Sequence, residues 1–360
     1  MKKLQLHNFH KKNGANFKDI RGWEIPSLYS SVESELEAII ENVGLLDRSY
    51  LGKIIVHGKD ATDLINRIST NDMKHLIMTT ACDTIFCSPK GRIIDFTKVV
   101  QYEDKLIIIS SFISNAHLME WINRFIILED VELEDGSDQF IWLTLLGADA
   151  KNFVQELSSL PFIDVDETIW LEKGDIKFPA LINHNFKVPA YNFCLPQKNA
   201  LEIMEWIYKN LELFNGRLIG DQAFQIMRIE SGMPDWGTEL TEDYNPHEAR
   251  LINAVSFTKG CYTGQEVIAR LDTYDKVQKY LMIFELTQPI NSGPPFDVFY
   301  NDEKVGMMTS YIFNPVKKES SGLGYIRKNL AVADFNIEVD VLINGSKIPA
   351  RIKTPPVKEV

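Results

Sequence analysis

The sequence predicts an α+β protein: a long body of mixed strands and helices, followed by a small all-β barrel. Three observations predict it. Strand-like stretches come in runs with helices interspersed, the pattern of segregated layers rather than of a doubly wound sheet. No Gly-x-Gly-x-x-Gly or phosphate-binding loop follows any of them, which disfavours the common nucleotide folds. From Lys279 onward the chain alternates short strands with Gly and Pro turns, as small barrels do. With 360 residues the length prior is about two domains. The expected division is an N-terminal extension over residues 1–30, a body of two α+β subdomains over 31–272, and a barrel over 273–360.

Residues 1–30 are polar, carry Gly14, Gly22 and Pro26 as breakers, and read as an irregular extension laid over the fold. Ser30 and Glu33 form a capping box for a helix through Leu36, Ile39, Ile40 and Val43, closed by Gly44. A strand from Leu51 to His57 precedes a short helix capped by Asp60 and carrying Leu64, Ile65 and Ile68. Cys82–Cys87, Arg92–Gln101 and Leu106–Ile109 make a meander, Ser114 caps a helix through Leu118, Trp121 and Ile122, and Phe140–Leu146 is another strand. Strands at Thr168–Lys173 and Ala190–Leu195 lead to a helix over Leu201–Tyr208, and Asp221 caps a helix stopped by Gly232 and Pro234. Barrel strands follow at Lys279–Leu286, Phe296–Phe299, Val305–Tyr311, Gly322–Ile326 and Ile337–Leu342.

A formal net charge of −12 argues against non-specific binding to phosphate backbones, so no direct nucleic-acid contact is expected. The basic start Met1–His7 lacks an apolar h-region and no run is long enough to span a bilayer, which points to a cytoplasmic protein without membrane contact. Cys82, Cys87, Cys194 and Cys261 show neither ligand spacing nor a disulfide pattern, so they read as reduced thiols without a metal.

The stretch richest in chemistry is Lys259-Gly260-Cys261-Tyr262-Thr263-Gly264-Gln265-Glu266. Thr263 and Glu266 read as a capping box, so a helix should begin near Gly264 and bury Val267, Ile268 and Leu271. Cys261 then lies near the positive end of a helix dipole, with Lys259 and Arg270 close in sequence, a setting that favours thiolate. Glu230 is the second conspicuous residue. It falls in the last turn of its helix, where the dipole disfavours a carboxylate, and a salt bridge to Arg228 or to solvent cations is the ordinary explanation.

These motifs together resemble a family. The octapeptide is similar to the signature of YgfZ-type folate-binding proteins, relatives of the glycine cleavage T-protein, an aminomethyltransferase. Val43-Gly44-Leu45-Leu46-Asp47, Asn66-Arg67-Ile68-Ser69-Thr70-Asn71-Asp72 and Pro89-Lys90-Gly91-Arg92-Ile93-Ile94-Asp95 resemble the T-protein's opening domain. Arg228–Pro234 resembles its Arg-Leu-Glu-Ala-Gly-Met-Pro run, and Gly306–Ser310 with Gly324–Arg327 its C-terminal barrel. The resemblance covers about residues 31–355 and implies a folate-binding body of ferredoxin-like α/β layers.

It further implies tetrahydrofolate, or a one-carbon derivative, as cofactor. Glu230 stands where the T-protein holds the pterin, and one carboxylate suits the paired N–H groups of that ring. Arg250 or Arg270 would face the folate carboxylates, and Trp236, Tyr244 or Tyr262 would stack on its rings. Two departures count against transfer. Phe96 follows Asp95 where T-proteins carry two acids, and their Gly-Tyr-Thr-Gly-Glu loop is not recognisable near Lys187–Phe193. The resemblance therefore implies an accessory protein that supports iron–sulfur enzymes or assembly proteins, tRNA-modifying enzymes among the clients, with Cys261 as functional thiol. The alternatives are an aminomethyltransferase using Asp95, and a thiol enzyme pairing Cys261 with His247 as base.

Overall fold

Runs of Val, Ile, Leu and Phe organise the chain into four sheets among the residues that the computed structural model describes, namely 1–76, 80–111, 115–158, 168–332 and 337–356. Two units result: Met1–Thr62, His75–Cys82 and Lys98–Phe224 form the first, and Asp63–Lys74, Asp83–Thr97 and Gln225–Val360 the second. The expected α+β body and C-terminal barrel are both present.

The first unit is built on a six-stranded sheet in the order Ile169–Lys173, Ile176–Ile182, Ala190–Pro196, Phe140–Leu146, Gly44–Asp47, Arg217–Leu218. Along Phe140–Leu146 the side chains alternate between two cores. Leu143 and Leu145 join Phe153, Phe178, Phe193 and Ile203, under the helices Ala150–Leu157 and Gln197–Leu211. Trp142 faces the other way with Leu51, Ile107, Leu181 and Cys194. A five-stranded sheet takes the order Ala81–Cys87, Ile93–Tyr102, Lys105–Ser110, Gly52–His57, Glu132–Asp135, and its first three strands are the expected meander.

The N-terminal thirty residues are not irregular. They form the helix His7–Lys12 and a small sheet of Lys2–Lys3, Trp23–Leu28 and Asn16–Ile20. Leu6 and Phe9 enter the first core, and buried His10 meets the Asp47 carboxylate at 2.7 Å through Nε2. Burial would raise the Asp47 carboxyl; His10 and the Ser49 N–H overcome that and hold it below its ordinary value. A polar stretch is ordered here by partners far along the chain, which local pattern does not reveal.

Other differences are local. Ser31 rather than Ser30 caps the helix Val32–Glu41, accepting from the Ser34 N–H at 3.1 Å, because Glu35 is turned back to the N–H groups of Tyr29 and Ser30. Gly44 does not close that helix but opens the strand Gly44–Asp47. The cap expected at Ser114 lies outside the described residues. Sequence pattern also passed over Ile176–Ile182 and the sixth barrel strand, Ser346–Lys353.

In the second unit the barrel closes in the order Lys279–Leu286, Glu319–Arg327, Glu303–Asn314, Phe296–Tyr300, Glu338–Ile343, Ser346–Lys353. Phe284, Val298, Met308, Ile326 and Val341 fill it. Outside the barrel lies a further cluster that includes Ile93, Ile229, Tyr244, Tyr262, Ile268 and Tyr325. Tyr244 and Tyr325 stack there with ring centroids 3.6 Å apart.

Lys53 is the least expected core residue. It is fully buried in the strand Gly52–His57, and among the described residues its ammonium donates only to the Ser49 carbonyl, at 2.5 Å. Burial pushes its pKa down to about 8, against the opposing charges of Asp47, Cys194, Asp138 and Asp135. The unfolded chain, with a lysine pKa near 10.4, therefore binds more protons than the fold in the window above pH 8, and this group's contribution to stability rises there with pH. Lys53→Met removes the penalty of the buried charge. Its stability advantage over wild type in urea unfolding should be largest below pH 8 and shrink by about 2–3 kcal/mol toward pH 10; a difference that stays flat with pH would show that Lys53 carries no such penalty.

Candidate functional site

The octapeptide is held from both ends, within the second unit. Lys259 directs its ammonium to three backbone carbonyls, those of Asn66, Ser69 and Asn71, at 2.6, 2.9 and 2.5 Å. The first two lie at the end of the helix Ala61–Ile68, where a cation satisfies carbonyls that the helix leaves without partners. Its charge also lies 5.3 Å from the ring centre of buried Tyr262. The Thr263 N–H donates to the Arg67 carbonyl at 3.2 Å, and buried Thr70 donates its hydroxyl to Ala254 O at 2.6 Å. Two sequence motifs far apart in the chain, the octapeptide and Asn66–Asp72, are thus joined by the Lys259 ammonium and by one backbone hydrogen bond.

The far end is fixed by shape. The helix is Gln265–Thr273, and its N-cap is Gly264 at φ 86°, with no side-chain cap. The Thr263–Glu266 capping box does not form. A Cβ on Gly264 would lie 2.8 Å from the Ser88 carbonyl oxygen and 3.3 Å from Cα of Gly91, so this position needs glycine for conformation and for space alike. Gly91, at φ 68°, receives Val267 in turn. The Pro89–Asp95 motif and the octapeptide interlock here, and Arg92 anchors the same turn by donating to the Asp243 carbonyl at 2.9 Å. Gly260 has open space around it and makes no close approach.

Between these anchors Cys261 is exposed. The Lys259 ammonium serves carbonyls, which differs from the expected role of a charge reserved for the thiol. His247 is buried, and its Nε2–H donates to the Ile268 carbonyl at 2.9 Å; no hydrogen bond joins it to Cys261. The Cys–His arrangement is therefore not built. Cys87 and Cys194 are buried, and burial pushes their thiols up, Cys194 to about 12 despite the charge of Lys53.

Glu230 ends the helix Asp221–Glu230, but its partner is not Arg228: Asn314 Nδ2 donates to one carboxylate oxygen at 2.5 Å and Lys317 Nζ to the other at 2.6 Å. Arg228 turns instead to the fully buried Glu239, at 3.1 Å, and to the carbonyl of Met233. Burial alone would raise the Glu239 carboxyl; Arg228 and the hydroxyls of Ser310 and Thr309 bring it below its ordinary value. Arg250, half-buried at φ 55°, donates Nε to the Leu281 carbonyl and Nη2 to the Met282 sulfur, and lies on the Tyr280 ring at 4.7 Å. Arg270 is exposed on its helix, as is Glu266, with Gln265 half-buried at its start. Asp95 is sealed at 0% exposure beside half-buried Phe96 and engaged within the protein.

Each oxygen of Glu230 accepts one hydrogen bond within the fold and keeps a lone pair for another donor, while two Arg250 donors are committed. What sequence reasoning passed over is Arg48, in the first unit. Its guanidinium lies 4.7 Å from the Phe224 ring centre, and its buried Nε has no hydrogen-bond partner among the described residues. An arginine just past a strand end carries no signal that would have singled it out. No group of three His, Cys, Asp or Glu among the described residues is placed to hold a metal ion, and no described helix is long and apolar enough to cross a membrane.

Residues 6–259 match the family described as GCVT N-terminal domain. The chain is 28% identical over 359 residues to an aminomethyltransferase of Caldanaerobacter subterraneus, covering 98% of this chain and 94% of that protein. It is 28% identical over 324 residues to a putative chloroplastic transferase of Arabidopsis thaliana, covering 89% and 74%. In three dimensions it superposes on the glycine cleavage system aminomethyltransferase T from Bartonella henselae with a TM-score of 0.82 at 21% identity, over 99% of this chain and 97% of that one.

Two measurements check this reading of the site. Gly264→Ala should destabilise the protein by about 2 kcal/mol in denaturant unfolding, since it forces a strained φ as well as a clash with backbone; full stability would mean that the interlock is loose. A double-mutant cycle of Glu230→Gln with Lys317→Met should return a coupling of about 1 kcal/mol, held down by the partial exposure of Lys317. Coupling near zero would free Glu230 for a ligand.

Proposed function

Since the chain belongs to the GCVT N-terminal domain family, we propose that it is a YgfZ-type, tetrahydrofolate-binding accessory protein that maintains iron–sulfur enzymes in the cytoplasm, tRNA-modifying enzymes among them, with Cys261 as its working thiol. The observation that carries the proposal is the setting of Cys261. A thiol stands exposed on a loop whose two ends are immobilised, one by three carbonyls around Lys259 and the other by the Gly264 interlock. Such a frame presents sulfur to a partner at little further ordering cost. Of the other thiols, Cys87 and Cys194 are buried and Cys82 is half-buried and engaged, so thiol chemistry with a large partner falls to Cys261.

The same geometry speaks against aminomethyl transfer. Asp95 is a single acid, fully buried, with Phe96 in the place of a second. A carboxylate that has no exposure and is already engaged in the fold is poorly placed to shuttle protons to an incoming amine. Bound folate would supply a one-carbon carrier. The support for folate is membership of the family. The polypeptide's own part is to hold the thiol in place and to keep the other cysteines out of reach.

Cys261→Ser tests the central claim. The variant should fold and melt as wild type does, yet fail to restore iron–sulfur enzyme activity in cells lacking the native protein. In the wild type, iodoacetamide at pH 7 should label Cys261 at least tenfold faster than Cys87 or Cys194, read by peptide mass spectrometry. Full rescue by the Ser variant would make Cys261 a bystander. Methylene-tetrahydrofolate formation from an aminomethylated lipoyl carrier, abolished by Asp95→Ala, would instead establish an aminomethyltransferase.

A further inference from the structure

Arg48 is a charged group whose buried donor the fold leaves unanswered. Its backbone is fixed, the N–H donating to the Trp142 carbonyl at 2.8 Å. Its guanidinium lies on Phe224 in the helix Asp221–Glu230, and that ring is held from behind by fully buried Phe186, with centroids 5.9 Å apart. Stacking engages the face of a guanidinium and leaves its N–H groups, all in the plane, pointing outward. Nε is shielded from water and has no acceptor among the described residues, and the side chain makes no ion pair there. Leaving a donor of a charged group unanswered is unfavourable, and a cation–π contact does not remove that cost.

A side-chain amide lies on the same face of the sheet. Leu46 pairs with Thr144 and Thr144 with Asn192, so these three side chains share a face, and strand alternation returns Arg48 to the side of Leu46. Asn192 is 1% exposed. Its carbonyl oxygen accepts from Thr144 Oγ1 at 2.9 Å and from Asn183 Nδ2 at 3.4 Å. The orientation of Asn183 is set by its own oxygen, which accepts from the Asn185 N–H at 3.1 Å, so the Asn192 atom that faces it must be oxygen. The Asn192 amide N–H groups are then turned away from Thr144 and Asn183.

We propose that Arg48, laid on Phe224, is the oxyanion-binding group of this protein, with the Asn192 amide as a neutral donor on the same face. The group it takes is an oxyanion, a carboxylate or a phosphate, bound in the plane of the guanidinium. Identifying that anion with the carboxylate tail of folate rests on the folate reading; the anion site itself does not. In this assignment Arg48, not Arg250 or Arg270, answers the ligand's negative charge.

Calorimetric titration of the full chain with tetrahydrofolate, with a tetrahydropterin lacking the tail, and with citrate separates the two claims. Arg48→Met should weaken tetrahydrofolate about tenfold or more and leave the tail-less pterin unchanged. Arg48→Lys should recover only part, because a point charge lacks the fork. Without ligand, Arg48→Met should melt no lower than wild type, since a group kept for a ligand adds nothing to the empty fold. Citrate binding that is lost in Arg48→Met, with no folate bound by wild type, would keep the anion site and overturn the folate reading. Folate binding indifferent to Arg48 would do the reverse. A marked loss of stability in Arg48→Met, or no binding of either anion by wild type, would overturn the anion site.

Discussion

A charge removed from water needs a partner, and the second unit is arranged around that requirement. Arg228 and Glu239 are buried together, and each gathers further groups: Arg228 takes Gln225 and the Met233 carbonyl, and Glu239 takes Thr309, Ser310 and the Asp235 N–H. The pair therefore ties the helix Asp221–Glu230, the turn after it and a barrel strand into one network. Removing one member would leave the other charged and dry, a loss of about 3–5 kcal/mol. Glu230 completes the same seam through Asn314 and Lys317. The Arg228–Pro234 run is thereby attached to the barrel.

The octapeptide follows the same rule in a different form. Lys259 answers three carbonyls at a helix end and the loop beyond it, and so converts a charge into a bracket for the loop. Its neighbour Gly264 completes the bracket by absence of a side chain. The result is a stiff loop presenting Cys261. Stiffness here comes from backbone contacts on either side of the thiol, so the reactive group remains exposed while its surroundings are fixed.

Two cations in the first unit depart from the rule, and they depart differently. Lys53 is enclosed with one carbonyl acceptor and answers its burial by a lowered proton affinity. Arg48 has no such escape, because a guanidinium does not give up its proton near neutrality. Where a buried lysine can become neutral, an arginine stays charged, and half-exposed Arg48 keeps one donor shielded from water. That difference in chemistry is why the first reads as an internal strain and the second as a binding group.

Much of the architecture was legible in the amino-acid order. Alternation and helical spacing located the meander, the strand Phe140–Leu146, the helices Gln197–Leu211 and Asp221–Glu230, and five of the six barrel strands, because each of these buries a face whose period is local. The motifs were legible too, as a set of ordered runs. Their partners were not. Ser31 displaced Ser30 as a cap, Gly264 displaced Thr263, His10 found Asp47, and Glu230 found Lys317 instead of Arg228. In each case the deciding contact was a hydrogen bond or a close approach that the immediate spacing of residues did not disclose. Period and composition are properties of neighbours along the chain, so sequence by itself determined the elements and the chemistry on offer. Which charge meets which partner depends on distances set only when those elements pack, so the tertiary structure alone decided that Glu230 meets Asn314 and Lys317, that Arg250 meets Leu281 and Tyr280, and that Cys261 stands exposed.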